Sequence, residues 1–141
     1  MIVEIKKTLA ILLIEDNRAD SFLTQEILND STVPNTVHIV QDAKKAFVHM
    51  LGRDGEIVIH LPDLILLDLN LPLMDGFAFL AEMAKEERLK YIPVFILSAS
   101  SAKGDIEKAR NLGARGYFTK PLDLDRFELE IRALFRAAEQ D

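Results

Sequence analysis

Acidic, hydroxyl and amine side chains follow four of five short apolar runs, at the point where each run ends. Glu15 and Asp16 follow the first run, Asp68 the third, Ser98 the fourth and Lys120 the fifth. In open α/β sheets, ligands bind outside the carboxyl ends of the strands. If the runs are strands of one sheet, these side chains converge on one crevice. Side chains of these types suit the binding of a cation and a reaction at a side-chain oxygen.

Three carboxylates in one crevice repel one another, so the crevice needs a positive partner. At ~4 Å and an effective dielectric of about 20, each pair costs roughly 4 kcal/mol. Mg²⁺ is the natural occupant, because it prefers oxygen ligands and is often held by one or two carboxylates beside a phosphate. Calcium is less suited, since the chain has no EF-hand-like loop of alternating oxygen ligands. Asp68 would then face a cation as a ligand, a nucleophile or both.

The segments around these side chains predict a repeated β-α pattern. The predicted strands are Leu9–Ile14, Val37–Val40, Leu64–Leu67, Val94–Leu97 and Gly116–Thr119. Helical spacing predicts helices at Asp20–Asn29, Ala43–Leu51, Phe77–Lys85 and Lys103–Leu112, and a last helix with Phe127, Ile131, Leu134, Phe135 and Ala138 on one face. This order implies an α/β fold, with parallel strands, right-handed crossovers and helices on both faces of the sheet.

Some local features of the sequence lead to narrower expectations. The apolar spacing of the first helix places Phe22, Leu23 and Ile27 on its inward face. Gly76 suits a turn that needs a positive φ. The long connection after the second helix contains residues 57–59, which could add a short strand or extend the helix.

Composition restricts the class of protein. At 141 residues, the length predicts one domain spanning 1–141, with its core at about 9–138. The chain contains no cysteine, which excludes disulfides and cysteine nucleophiles and suits a reducing cytosol. A formal charge of -6 opposes nonspecific binding to nucleic acid or anionic membrane. The N-terminal apolar stretch is too short to span a membrane, so we expect a cytoplasmic protein.

Four motifs in the same order resemble the receiver domain of two-component response regulators, which includes chemotaxis regulators. They are "IED" at Glu15 and Asp16, "LLDLNLPLMDG" around Asp68, "ILSAS" with Ser98, and "GYFTKP" with Lys120. The resemblance runs from about residue 9 to the final helix. It implies a flavodoxin-like doubly wound (βα)5 fold with a five-stranded parallel sheet in the order 2-1-3-4-5.

The resemblance implies that Asp68 accepts a phosphoryl group from a phosphohistidine of a sensor histidine kinase. Asp16, Asp68 and the backbone carbonyl of Asn70 would bind Mg²⁺, with Glu15 acting directly or through water. Lys120 would pair with Asp68 before the reaction and with a phosphoryl oxygen after it. The formal charges of three carboxylates, one lysine and one Mg²⁺ would then balance. Such a protein is a phosphoacceptor rather than an enzyme, although it catalyses its own phosphorylation and slow autodephosphorylation.

The same resemblance implies a switch. Ser98 would donate a hydrogen bond to the phosphoryl group, and Tyr117 would fill the space that Ser98 leaves. The signal would change the face made by helix 4, strand 5 and helix 5. The resemblance also suggests a cis peptide bond between Lys120 and Pro121.

Some features point to particular partners. The "LLDLNLP" motif, the expanded segment before the third strand and the expected absence of an output domain are most similar to single-domain regulators of bacterial phytochrome histidine kinases. We therefore expect a sensor histidine kinase as partner, with no direct nucleic-acid contact and no membrane contact. Leu129 projects opposite the core face of the last helix. With Arg132 and Arg136 on the outward side, it could belong to a homodimer interface or to a surface for an output partner.

Three other functions share features with this sequence. A haloacid-dehalogenase-type phosphatase also uses an aspartate after a parallel strand, but it needs a second acid two residues later, where this chain has Asn70. A flavodoxin-like cofactor binder needs a phosphate-binding loop after the first strand, where this chain has "EDNRAD" without glycine. A degenerate receiver that acts as a phosphorylation-independent docking module stays open.

Overall fold

Five strands alternate with five helices in the part of the chain that the structure describes. The computed structural model covers residues 7–53 and 61–139, with side chains as far as residue 135. The strands are β1 (Leu9–Ile14), β2 (Asn35–Val40), β3 (Leu64–Leu67), β4 (Val94–Ser98) and β5 (Gly116–Thr119). The helices are α1 (Arg18–Asn29), α2 (Ala43–Leu51), α3 (Gly76–Lys85), α4 (Lys103–Asn111) and α5 (Leu124–Glu139).

The strands form one parallel sheet in the order β2-β1-β3-β4-β5, which confirms the expected flavodoxin-like topology. The register aligns the strand ends. Leu67 pairs with Ile14 of β1 and with Ile96 of β4, and Ser98 pairs with Thr119 of β5. The residues that follow these strands therefore emerge at one edge of the sheet.

Alternate residues of each central strand contribute to two apolar layers, one on each face of the sheet. On β1, for example, Leu12 and Ile14 lie in one layer, while Leu9, Ile11 and Leu13 lie in the other. The first layer packs against α2, α3 and α4, and the second against α1 and α5. Burial on both faces explains why the central strands are continuous apolar runs, and it holds the strand ends rigidly. None of the helices in the described ranges combines the length and hydrophobicity of a membrane-spanning segment.

The expected inward face of α1 is correct for Ile27, which packs against the second apolar layer, but wrong for Phe22 and Leu23. Phe22 and Leu23 are 66% and 48% exposed, whereas Ser21, Thr24 and Leu28 face the core. The hydroxyl of Ser21 is satisfied locally, since it donates to the Arg18 carbonyl oxygen. Apolar spacing alone therefore does not reveal the rotation of this helix.

The connection from β3 to α3 also differs from expectation. The positive φ is at Leu73 (69°), and Gly76 instead begins α3 without one. A Cβ atom on Gly76 would lie 2.7 Å from the Leu69 Cα and 2.8 Å from the Asp68 carbonyl oxygen. Gly76 is therefore needed for close approach of two backbone segments. Residues 57–59, predicted to add a short strand or to extend the second helix, lie outside the described residues.

A second polar cluster joins α5 to the connection between α1 and β2. The Glu128 carboxylate accepts hydrogen bonds from the Ser31 hydroxyl at 2.5 Å and from the Thr32 backbone N–H at 2.8 Å. Arg132, expected on the outward side, lies 3.5 Å from Glu128 and donates to the Thr32 hydroxyl at 2.8 Å. Leu129 is 69% exposed, as expected from the helical spacing.

Candidate functional site

Three carboxylates meet at the carboxyl edge of the sheet. One oxygen from each of Glu15, Asp16 and Asp68 lies within 4.8 Å of the others. Glu15 and Asp68 are 2% and 5% exposed, while Asp16 is exposed. Two buried acids and one solvent-facing acid, all with hard oxygen donors, fit a divalent cation such as Mg²⁺ that keeps some of its water.

The ammonium group of Lys120 reaches the same carboxylates from the end of β5. Its Nζ lies 3.1 Å from Asp68 Oδ2 and forms a close ion pair with Glu15. The Lys120 backbone N–H donates to the Ser98 carbonyl oxygen at 2.8 Å, which ties the start of the β5–α5 connection to the end of β4. The Lys120–Pro121 peptide bond is cis.

Asp20 is a fourth carboxylate in this site, and sequence reasoning missed it. Its Oδ2 lies 2.8 Å from the Lys120 Nζ. Asp20 is held in the first turn of α1, where its backbone N–H donates to the side chain of Asn17, the N-cap residue, at 2.9 Å. The Asn17-x-x-Asp20 spacing marks a helix start, but it does not reveal a partner 100 residues away. With Asp20 included, the site holds four carboxylates and one lysine, which itself contacts three of them, so even a divalent cation leaves the formal charge negative.

The electrostatic effect is clearest at Glu15. The pKa of its carboxyl is raised from 4.5 to about 7: burial is the largest cause, the hydrogen bond with Lys120 opposes it, and Asp68 acts in the same direction as burial. For Lys120, burial favours the neutral amine, but hydrogen bonds to Asp20, Glu15 and Asp68 outweigh it, so its pKa lies above the ordinary value. The raised pKa of Lys120 reflects the carboxylates around it, whereas that of Glu15 reflects mainly burial, with a smaller contribution from the charge of Asp68.

The Asp68 carboxylate is held by the backbone around it. Its Oδ1 accepts a hydrogen bond from the Asn70 backbone N–H at 3.1 Å, while Oδ2 faces Lys120. The Gly76 backbone N–H donates to the Leu69 carbonyl oxygen at 2.9 Å, which closes the turn behind the acid. Asp68 is therefore fixed at the rim. The Asn70 carbonyl as a metal ligand stays a prediction.

Ser98 and Tyr117 are connected through Ser100 in the β4–α4 connection. The Ser98 Oγ, fully buried, accepts a hydrogen bond from the Ser100 backbone N–H at 3.3 Å. Tyr117 is buried, and its hydroxyl donates to the Ser100 carbonyl oxygen at 2.7 Å. The Ser100 hydroxyl donates to Asp105 Oδ2 of α4 at 2.6 Å. The two residues of the expected switch thus hydrogen-bond to one short connection, and Asp105 is a further member that the sequence did not reveal.

Comparisons with known proteins agree with this geometry. The family model described as the response regulator receiver domain matches residues 11–132. The chain is 42% identical over 115 residues to response regulator Rcp1 of Synechocystis sp., which covers 81% of this chain and 78% of Rcp1. It is similar to the crystal structure of the phosphorylated cyanobacterial phytochrome response regulator RcpA, with a TM-score of 0.73 and 39% identity over 91% of each chain.

A second solved structure is also similar to this chain. The Mn²⁺-bound form of Rcp1 matches with a TM-score of 0.71 and 36% identity, covering 89% of this chain and 91% of that one. A haloacid-dehalogenase phosphatase finds no support in these comparisons. This protein therefore belongs to the response regulator receiver domain family.

Proposed function

We propose that Asp68 is the phosphoacceptor of this receiver domain and takes a phosphoryl group from a phosphohistidine of a sensor histidine kinase. The observation that carries the proposal is a buried aspartate held at the sheet edge, with a lysine on one side and two further carboxylates within 4.8 Å. This arrangement supplies a fixed nucleophile, a cationic partner and a place for a cation, as phosphoryl transfer requires.

In the reaction, an Asp68 carboxylate oxygen attacks phosphorus in line with the phosphorus–nitrogen bond. That bond breaks, its electron pair returns to the imidazole, and an aspartyl phosphate forms. Lys120 moves its hydrogen bond from Asp68 Oδ2 to a phosphoryl oxygen, and Ser98 turns its hydroxyl toward the phosphoryl group. A carboxylate needs no general base, so alignment and neutralisation of charge lower the barrier.

Mg²⁺ is the proposed cofactor. Asp16 and Asp68 would hold it, together with the Asn70 carbonyl and with Glu15 directly or through water. A divalent cation at these residues would neutralise charge on the carboxylates and on the incoming phosphoryl oxygens. The Mn²⁺-bound form of the relative Rcp1 supports a divalent cation in general.

Intact-protein mass spectrometry tests the proposal. The protein would be incubated with phosphoramidate and Mg²⁺, beside an EDTA control. We expect a Mg²⁺-dependent phosphoryl adduct on the wild type that is absent from Asp68→Asn. Asp30→Asn, which changes an exposed aspartate at the end of α1, is the matched control and should retain the adduct.

Two outcomes would contradict the proposal. An adduct that survives in Asp68→Asn would place the nucleophile elsewhere. No adduct on a folded wild type that binds Mg²⁺ would favour the phosphorylation-independent docking module.

The kinase partner is proposed to be a bacterial phytochrome. The support is similarity to RcpA, which is described as a cyanobacterial phytochrome response regulator. Phosphoryl transfer from the autophosphorylated kinase domain of such a phytochrome, measured against unrelated sensor kinases, would test the pathway. The switch of the α4-β5-α5 face, the homodimer, the cytoplasmic location and the single domain without an output domain stay predictions from the sequence.

A further inference from the structure

We propose that Asp20 is a positioning residue that holds the Lys120 ammonium group ready for the phosphoryl group, an inference that rests on the proposed function of Asp68. Asp20 Oδ2 lies 2.8 Å from the Lys120 Nζ, closer than the 3.1 Å between that Nζ and Asp68 Oδ2. The contact joins the first turn of α1 to the end of β5, so it crosses the mouth of the site.

The hydrogen-bond donors of Lys120 are all matched by nearby carboxylates. An ammonium group has three N–H donors, and three carboxylates surround this one: Glu15, Asp20 and Asp68. Glu15 and Asp68 also belong to the acidic cluster that would hold a cation, and Asp68 would carry the phosphoryl group. Asp20 lies outside that cluster. Asp20 can therefore remain hydrogen-bonded to Lys120 while Glu15 and Asp68 exchange Lys120 for the cation or the phosphoryl group.

Hydrogen bonds connect Asp20 to the acidic cluster through the backbone. The Asn17 backbone N–H donates to Glu15 Oε2 at 3.2 Å, and the Asn17 side chain accepts from the Asp20 backbone N–H at 2.9 Å. This chain fixes where Asp20 stands relative to the end of β1. A flexible four-carbon lysine stem gains orientation from such an anchor.

Asp20 has two opposing effects on the rate of phosphorylation, so the direction of the change in rate in a variant shows which effect is larger. A carboxylate at the mouth of the site repels an anionic phosphodonor, so removing its charge alone would speed the reaction. Removing an anchor would slow it, because Lys120 would have more orientations to lose as the phosphoryl group arrives. The side chain of Asp20 is 41% exposed and that of Lys120 only 15%. Water screens the repulsion from Asp20 more than it screens the contact with the ammonium group, so the positioning effect is larger.

The test compares Asp20→Asn, Asp20→Glu and the matched control Glu26→Gln, which removes one charge from an exposed position on the same helix. Three quantities are measured on each folded protein: the rate of Asp68 phosphorylation by phosphoramidate with Mg²⁺, the Mg²⁺ affinity by calorimetry, and hydrogen exchange of the Lys120 ammonium group by NMR.

We expect Asp20→Asn to slow phosphorylation roughly three- to fivefold, the kinetic equivalent of one partly exposed ion pair. Its Mg²⁺ affinity should stay within about twofold of the wild type, since Asp20 is outside the acidic cluster. The Lys120 ammonium group should exchange faster. Asp20→Glu should restore both rate and slow exchange, and Glu26→Gln should change neither.

A rate that is unchanged or faster in Asp20→Asn overturns the inference, as does a slower rate that Asp20→Glu does not restore. A parallel loss of Mg²⁺ affinity also overturns it, because Asp20 would then act through the acidic cluster. If the wild type forms no adduct on Asp68, the proposed function fails and the inference fails with it. If the wild type reacts and Asp20→Asn reacts equally fast, the inference alone fails.

Discussion

Two buried glutamates in this molecule lie in opposite electrostatic surroundings. Glu15, at the carboxyl edge of the sheet, is 2% exposed, and burial raises its pKa to about 7. Glu128, on α5, is 8% exposed. Burial acts in the same direction there, but hydrogen bonds from Ser31 and Thr32 and the charge of Arg132 outweigh it, so the pKa of Glu128 lies below 4.5.

The difference lies in what the fold supplies to each carboxylate. Glu128 receives two hydroxyl groups and a backbone N–H in addition to an arginine, so its charge is compensated within the protein. Glu15 shares one lysine with Asp20 and Asp68 and has Asp68 as a close neighbour. Breaking the contacts of a compensated buried charge destabilises a protein, whereas a buried charge with too few donors gains from a cation that binds later.

Replacing the basic side chain beside each glutamate should give the largest difference in stability between the two regions. Lys120→Met leaves buried carboxylates without the ammonium group and should lower the free energy of unfolding by roughly 3 kcal/mol in metal-free buffer. Arg132→Met should cost about 1 kcal/mol, because Glu128 keeps its hydroxyl and backbone donors. Urea denaturation in EDTA measures both. Equal losses would mean that the two carboxylates do not differ as described.

Removing the negative charge should change stability in opposite directions. Glu128→Gln gives up charge-assisted hydrogen bonds and should destabilise the protein by about 2 kcal/mol. Glu15→Gln removes an ionised buried group at about pH 8 and should stabilise the metal-free protein by about 1 kcal/mol. The same denaturation measurement applies to both variants. A loss of stability in Glu15→Gln would show that its ion pair with Lys120 outweighs burial and repulsion.

The sequence was sufficient to predict the end of the sheet where the site lies. Continuous apolar runs define buried parallel strands, and parallel strands present their carboxyl ends at one edge. The sequence alone therefore predicts that Glu15, Asp68 and Lys120 lie together. In the structure, Lys120 is within hydrogen-bonding distance of both acids. The strand boundaries of β1, β3 and β5 agree with the predicted ranges.

Other contacts depend on side-chain directions that no local pattern records. Asp20 meets Lys120 from a helix on which Ser21, rather than Phe22, faces the core. Glu128 meets Ser31 across 97 residues. A short polar residue in a first helical turn or a glutamate on an amphipathic helix usually faces solvent, so the sequence gives no reason to single these residues out.

Addition of Mg²⁺ sharpens the comparison, since only one of the two regions should respond. At a free Mg²⁺ concentration of about ten times its dissociation constant, binding to the folded protein should add ~1.4 kcal/mol to the free energy of unfolding. Glu128→Gln should retain that gain, and Asp16→Asn should lose most of it. Thermal denaturation with and without Mg²⁺ measures the difference. An equal gain in Asp16→Asn would place the cation away from the acidic cluster.

The pH dependence of Glu128 should give the smallest effect. Its pKa is lower in the folded protein than the ordinary value of 4.5, so its contribution to stability is fully present above 4.5 and is lost as pH falls through the folded pKa. The free-energy difference between wild type and Glu128→Gln should therefore shrink between about pH 6 and about pH 3. Denaturation curves at several pH values test this. A difference that grows on acidification would mean that Glu128 is protonated more readily in the folded protein, and the contrast with Glu15 would disappear.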